Sequence, residues 1–195
     1  MKILALPGSL RDGSYNKLLI HAAEELAPEG VEIHTFDLNE IPLYNQDEDS
    51  ATPPESVARL REAIRNSDAL LISTPEYNYS LPGVLKNAID WASRPPGKSV
   101  LNGKPVAIMG ASTGLSGTMR AQLAWRPVFL FTDSPMVGKP EVYVAQAGQK
   151  FDREGRLIDE MARKLICQLL ENLVKLAEDV NRKSAETEAT VASRH

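Results

Sequence analysis

Residues 68–83 read Asp68-Ala69-Leu70-Leu71-Ile72-Ser73-Thr74-Pro75-Glu76-Tyr77-Asn78-Tyr79-Ser80-Leu81-Pro82-Gly83. Asp68 to Thr74 is the clearest strand of the chain. Its apolar run suits a strand buried on both faces of a parallel sheet. Pro75 to Leu81 is a loop. Pro82 opens a helix, where its missing N–H costs nothing, and the helix is predicted to reach about Ala92. Pro95-Pro96-Gly97 then breaks it.

The strand–loop–helix unit recurs on both sides. Upstream, Ile3 to Leu6 is a strand, Gly8 to Gly13 a loop, and a helix starts near Ser14 with Leu18, Leu19, Ala22, Ala23 and Leu26 on one face. Val31 to Phe36 alternates as a second strand. Asp37 to Pro54 is a long polar loop, of a length usually functional or mobile. Pro54-Glu55 opens a helix with Val57, Leu60 and Ile64 at helical spacing. Downstream, Pro105 to Gly110 is a fourth strand, and a helix follows from about Gly117. Glu141 to Val144 is a fifth strand. The last helix is predicted over about Leu157 to Val180, with Met161, Leu165, Leu169, Leu173 and Leu176 as its stripe. Residues 181–195 form a polar tail expected to fray.

This alternation predicts one domain over residues 1–180, an α/β fold with a five-stranded parallel sheet and helices on both faces. In such doubly wound sheets the ligand sits at the carboxyl ends of the strands, where the strand order reverses. The loops after strands one, three and four therefore carry the candidate site.

Composition limits the partners. The chain has 195 residues and a net charge of −4, which gives no electrostatic reason to expect nucleic acid or an anionic membrane. No apolar run is long enough to span a bilayer. The short apolar start, Ile3 to Leu6, reads as a strand and not as a signal segment. Cys167 is the single cysteine, so no intrachain disulfide is possible. A reducing cytoplasm is the expected location.

The first loop, Gly8-Ser9-Leu10-Arg11-Asp12-Gly13-Ser14-Tyr15-Asn16, is a phosphate cradle. Helix-end N–H groups favour an anion, the Ser9 and Ser14 hydroxyls and the Asn16 amide can bond it, and Arg11 adds a forked cation. The plainer reading is that Ser14 only caps the helix. The second loop, Pro75 to Gly83, offers two tyrosines and Asn78, which suit a flat heterocycle with polar edges. The plainer reading is a rigid turn between two prolines. The third loop, Gly110-Ala111-Ser112-Thr113-Gly114-Leu115-Ser116-Gly117, combines hydroxyls with glycines that permit close backbone approach.

Three rivals fail on residues. There is no G-x-G-x-x-G, and Gly97-Lys98-Ser99 follows a helix with Ala92 where a P-loop needs glycine. Gly110 to Gly114 fits the G-x-S-x-G elbow of an esterase with Ser112 as nucleophile, but the only later histidine is His195, the last residue of the tail.

Together the loops resemble the NADPH-dependent FMN reductase family, especially its bacterial chromate and quinone reductase branch. The resemblance is carried by Gly8-Ser9-Leu10-Arg11, Gly13-Ser14-x-Asn16, the long run from Pro75-Glu76-Tyr77-Asn78-Tyr79 through Ser80-Leu81-Pro82-Gly83-Val84-Leu85-Lys86-Asn87-Ala88-Ile89-Asp90-Trp91, and Gly110 to Gly114. It covers about Met1 to Val180.

The resemblance implies a flavodoxin-like sheet of order 2-1-3-4-5. It implies FMN as cofactor, with Ser9, Arg11, Ser14 and Asn16 at the phosphate and Tyr15 counted with them. Pro75, Glu76, Tyr77 and Asn78 would lie along the isoalloxazine and ribityl region. Ser112, Thr113 and Gly114 would lie on the other side of the flavin.

The implied activity is ping-pong. NADPH or NADH gives hydride to the flavin and leaves, and a small acceptor (quinone, chromate, azo compound or flavin) takes two electrons in its place. No side chain need act as a catalytic residue. The alternative is a non-catalytic FMN electron carrier. A homodimer or homotetramer is implied. The helix holding Met119, Leu123, Trp125, Val128, Phe129, Leu130 and Phe131 is apolar on more than one face; the plainer reading is a buried core helix, the sharper one a subunit contact.

The remaining titratable groups read as structural. No His, Cys or carboxylate spacing predicts a metal. Asp47-Glu48-Asp49 is expected to be solvated, Cys167 to be a small core residue, and His21 and His34 to lie away from the loops.

Overall fold

The computed structural model describes residues 1–192, with side chains to 186. Five strands form one parallel sheet: β1 (Lys2–Pro7), β2 (Glu32–Thr35), β3 (Ala69–Ser73), β4 (Val106–Ala111) and β5 (Val142–Val144). Their order is β2-β1-β3-β4-β5, the flavodoxin-like order expected. The helices are α1 (Tyr15–Glu25), α2 (Glu55–Arg65), α3 (Gly83–Ala92), α4 (Met119–Phe131) and α5 (Glu160–Ala192). Short 3₁₀ turns at Gln46–Glu48 and Ala147–Gln149 complete the elements.

Side-chain alternation along the strands divides the core in two. Ile3, Ala5, Ala69, Leu71, Ala107 and Met109 face α1 and α5. Leu4, Leu6, Leu70, Ile72, Val106 and Ile108 face α2, α3 and α4. Each fully buried leucine or isoleucine contributes about 1.5–3 kcal/mol of transfer free energy. β2, with Glu32 and His34 exposed, is an edge strand.

Four sequence expectations need correction. Helix α5 does not stop at Val180 but continues to Ala192. Residues 181–192 hold no glycine or proline to end it, and Arg182 pairs with Asp179 one turn back at 2.8 Å. The part of the tail from 193 to 195 lies outside the described residues.

The buried stripe of α5 is Ala162, Ile166, Leu169, Leu170, Leu173 and Ala177; it keeps the expected Leu169 and Leu173, but Met161 is 64% exposed and Leu165 and Leu176 are only half-buried. In the sequence, the large residues at 161 and 165 mask the alanines that pack against the sheet. Cys167, beside this stripe, is half-buried.

Asp49 is not solvated: its side chain is 4% exposed and takes Arg61 Nη2 at 2.8 Å, with Arg94 Nε at 3.5 Å. Arg61 is buried on α2, and a buried guanidinium needs a compensating anion. The long loop after β2 is tied to α3. Asn87 Nδ2 and Trp91 Nε1 both donate to Pro42 O, at 2.7 and 2.9 Å. Tyr44 meets Trp91 edge-on at 4.9 Å between centroids.

Candidate functional site

The loops after β1, β3 and β4 meet at the carboxyl ends of the central strands and line a cleft of about 190 Å³. Ten of the twelve predicted site residues line it: Ser9, Arg11, Ser14, Tyr15, Asn16, Pro75, Glu76, Tyr77, Ser112 and Thr113. Ala111, the last residue of β4, completes the lining. Asn78 and Gly114 lie outside it, both exposed.

The loop after β1 starts as a tight turn. Gly8 donates to Ser73 O at 2.8 Å, and a Cβ on Gly8 would sit 2.7 Å from Pro75 Cδ, so glycine is required for the close approach. Ser14 has extended backbone and caps α1, its Oγ accepting from Asn16 N at 3.2 Å and Lys17 N at 3.4 Å. The capping reading is thus met. The backbone N–H groups of Asp12, Gly13, Ser14 and Tyr15 have no acceptor among the described residues. Arg11 is exposed; its guanidinium folds over Gly13 and has no ion-pair partner among the described residues. Unpaired N–H groups, a helix N-terminus and an unpaired cation converge on one spot, which is what a bound phosphate needs.

Asn16 serves the frame more than the ligand. Its Oδ1 accepts from Ala111 N at 3.0 Å and Ser73 Oγ at 3.1 Å. Its Nδ2 donates to Ala111 O at 2.9 Å. One Nδ2 hydrogen remains. The amide therefore ties the start of α1 to the ends of β3 and β4.

The loop after β3 is a two-residue reversal. Tyr77 N and Ser80 O pair at 3.0 Å, and Ser80 N and Tyr77 O at 2.9 Å. Asn78 and Tyr79 between them have φ of +49 and +67°, the left-handed pair of a type I′ turn. Asparagine tolerates that conformation, whereas tyrosine pays strain for it. Tyr77 donates its hydroxyl to Ser9 Oγ at 3.2 Å, joining the two loops. The Tyr79 ring lies under the Arg120 guanidinium, 3.8 Å from the ring centroid.

Glu76 points away from any ring-edge role. Its carboxylate accepts from Arg120 N at 2.8 Å, Ala121 N at 3.2 Å and Arg120 Nη1 at 2.9 Å. The two backbone N–H groups are first-turn donors of α4. Sequence reasoning missed Arg120 and Tyr79 as members of this group. The available signal was weak: an acid in the loop and an arginine 44 positions later.

The loop after β4 is bound to β5. Ser112 N donates to Val144 O and Ala147 N to Ser112 O, both at 3.0 Å. Gly110 could carry no side chain, since its Cβ would stand 2.3 Å from Thr74 O. Ser112 Oγ accepts from Gly114 N at 3.2 Å. His21 and His34, the described histidines, are exposed and paired with Glu24 and Glu32, so neither serves Ser112; His195 lies outside the described residues.

A cleft at the switch point of a 2-1-3-4-5 sheet, with one anion cradle and a polar slot beside it, defines a flavodoxin-like protein. Residues 1–149 match the NADPH-dependent FMN reductase family, and the chain belongs to that family. It is 51% identical to an NAD(P)H-dependent FMN reductase of Pseudomonas aeruginosa, over 89% of this chain and 93% of the relative. It is 45% identical to a 2-hydroxy-1,4-benzoquinone reductase of a Burkholderia species, over 85% of this chain and 90% of the relative. The flavoenzyme NAD(P)H:(acceptor) oxidoreductase FerB of Paracoccus denitrificans has the same fold, with a TM-score of 0.83 and 37% identity over 91% of this chain and 97% of that one.

FMN is the cofactor of this family, and the residues present fit it. The open N–H groups and Arg11 suit its single phosphate, and the slot between the second and third loops suits its ring.

Proposed function

We propose that the chain is an FMN-dependent NAD(P)H:quinone oxidoreductase that works by ping-pong exchange at one cleft and assembles through α4. The flavin supplies the redox chemistry, and the protein binds and orients it. Arg11, Ser14 and the N–H groups of residues 12–15 hold the phosphate. The Ser9 hydroxyl, which already accepts from Tyr77, can donate its own proton to the ligand. Ser112 and Thr113 face the slot from the β4 side, while Pro75 and Tyr77 face it from the β3 side.

The observation that carries the acceptor class is the rim. Leu10, Tyr77, Tyr79, Leu115 and Met119 are exposed around the loops, and such apolar surface favours a planar organic acceptor over a hydrated oxyanion. The named activities of the Pseudomonas and Burkholderia relatives support the same reading.

Along α4, Met119, Leu123, Pro127, Leu130 and Phe131 form an outward apolar stripe, with Phe131 90% exposed. A continuous stripe at i, i+4, i+8 and i+11 fits a helix contact between two copies. Chemistry that draws on NAD(P)H, and the unpaired Cys167, support a cytoplasmic setting.

The visible spectrum of the purified protein tests this. Bound oxidised flavin that bleaches on adding NADPH and returns on adding a benzoquinone is the expected result. Colourless protein that FMN cannot reconstitute would overturn it. Initial-rate lines that converge rather than run parallel would overturn the ping-pong scheme, and a single 21.4 kDa species in sedimentation at micromolar concentration would overturn the assembly.

A further inference from the structure

Helix α4 has no cap of its own. Thr118 stands at its N-cap position but makes no side-chain cap hydrogen bond. Its hydroxyl instead accepts from Gln122 Nε2 at 3.0 Å, and it is held against Gly110, whose Cβ would collide with it. The orphan N–H groups of the first turn must be met from elsewhere. Glu76 meets them from a loop 44 residues away, taking Arg120 N and Ala121 N on Oε2 and Arg120 Nη1 on Oε1. Arg120 Nη1 is also bonded to Ser116 Oγ at 2.8 Å.

We infer that Glu76 is a positioning residue for the flavin: it caps α4 from the loop after β3, and so fixes both the place and the net charge of that wall of the cleft. The inference rests on the flavin occupying the cleft as argued above. Glu76 lines the cleft, and its carboxylate faces two positive partners, the N-terminus of α4 and the Arg120 guanidinium. The carboxylate offsets the guanidinium and part of the helix-end charge. Reduction of the flavin adds negative charge, so any imbalance at this wall moves the midpoint potential. The same cap anchors the strained Asn78–Tyr79 turn, because Arg120, fixed by Glu76, covers the Tyr79 ring.

Two variants with opposite charge consequences test the assignment. Glu76→Gln leaves the helix end and Arg120 uncompensated. Its holoenzyme should show a more positive midpoint potential, with the reduced form favoured about tenfold, equal to about 30 mV for a two-electron couple. Its FMN dissociation constant should rise about tenfold, and the amides of Arg120 and Ala121 should exchange hydrogen faster. Arg120→Met keeps the two backbone bonds to Glu76 but leaves its charge in excess, so the potential should move the other way.

A merely structural role for Glu76 would give shifts of one sign or none, and that result overturns the inference. Unchanged exchange at both amides in Glu76→Gln overturns the cap. If Glu76→Gln does not fold, the Arg120→Met potential alone decides, and a shift in the positive direction overturns the proposal. Wild-type protein that binds no FMN defeats the flavin reading itself, a result distinct from a flavoprotein whose potential ignores both substitutions.

Discussion

The loops after β1 and β3 flank the same cleft, yet their polar groups are used differently. After β1, Arg11 and the N–H groups of residues 12–15 are left open. After β3, Glu76 is bound to α4 and Tyr77 to Ser9. The first loop presents its chemistry to a ligand; the second turns its chemistry inward to build a wall. The longer sequence motif therefore belongs to the loop with more internal work, and a long motif marks architecture as readily as ligand contact.

Substitutions can break this contrast. Asn16→Ala should have the largest effect, because it leaves three buried partners on β3 and β4 unmet. A loss of about 2–4 kcal/mol in unfolding free energy is expected, read from the urea midpoint. A change under about 0.5 kcal/mol, the size of an ordinary surface substitution, would mean that the loop after β1 is not framed by this amide.

Arg11→Ala should do the reverse. Its side chain is exposed and unpaired, so the urea midpoint should hold, while FMN affinity should fall by about 1.5–3 kcal/mol, the scale of a charged hydrogen bond. Fluorescence of released flavin measures this, and unchanged affinity would remove Arg11 from the cradle. Tyr77→Phe should be mildest. It deletes the single hydroxyl bond to Ser9, costing about 0.5–1.5 kcal/mol of stability by the same denaturation assay, with flavin still bound.

The sequence showed the sheet because its central strands are short apolar runs between loops that punctuate clearly, as at Ala69–Ile72. It showed the cleft because in a doubly wound sheet the ligand site lies at the carboxyl ends of the strands, and the resemblance supplied the strand order. The direction of Glu76 was hidden, since nothing local to residues 75–83 reveals that Thr118 is diverted to Gln122 and leaves α4 uncapped. The Asp49 pair was hidden for the same reason: its partners Arg61 and Arg94 lie on and after separate helices. On α5, Leu169 and Leu173 were legible as core, whereas Ala162 and Ala177 were hidden because small side chains carry burial that a scan for large apolar residues overlooks. Its continuation past Val180 followed from the absence of any breaker, a weaker signal than the polarity that argued for an end.

Helix α5 packs its residues Asn172 to Asp179 beside Met136 to Lys139, which precede β5. It thus runs toward the amino ends of the strands, away from the cleft. From Ala177, the last fully buried residue of α5 among those with described side chains, to Ala192 the axis advances about 22 Å at helical rise. A surface tether or reporter protein joined beyond α5 would therefore sit at the far pole of the molecule. Immobilised by that end, the enzyme would offer its redox mouth to solution.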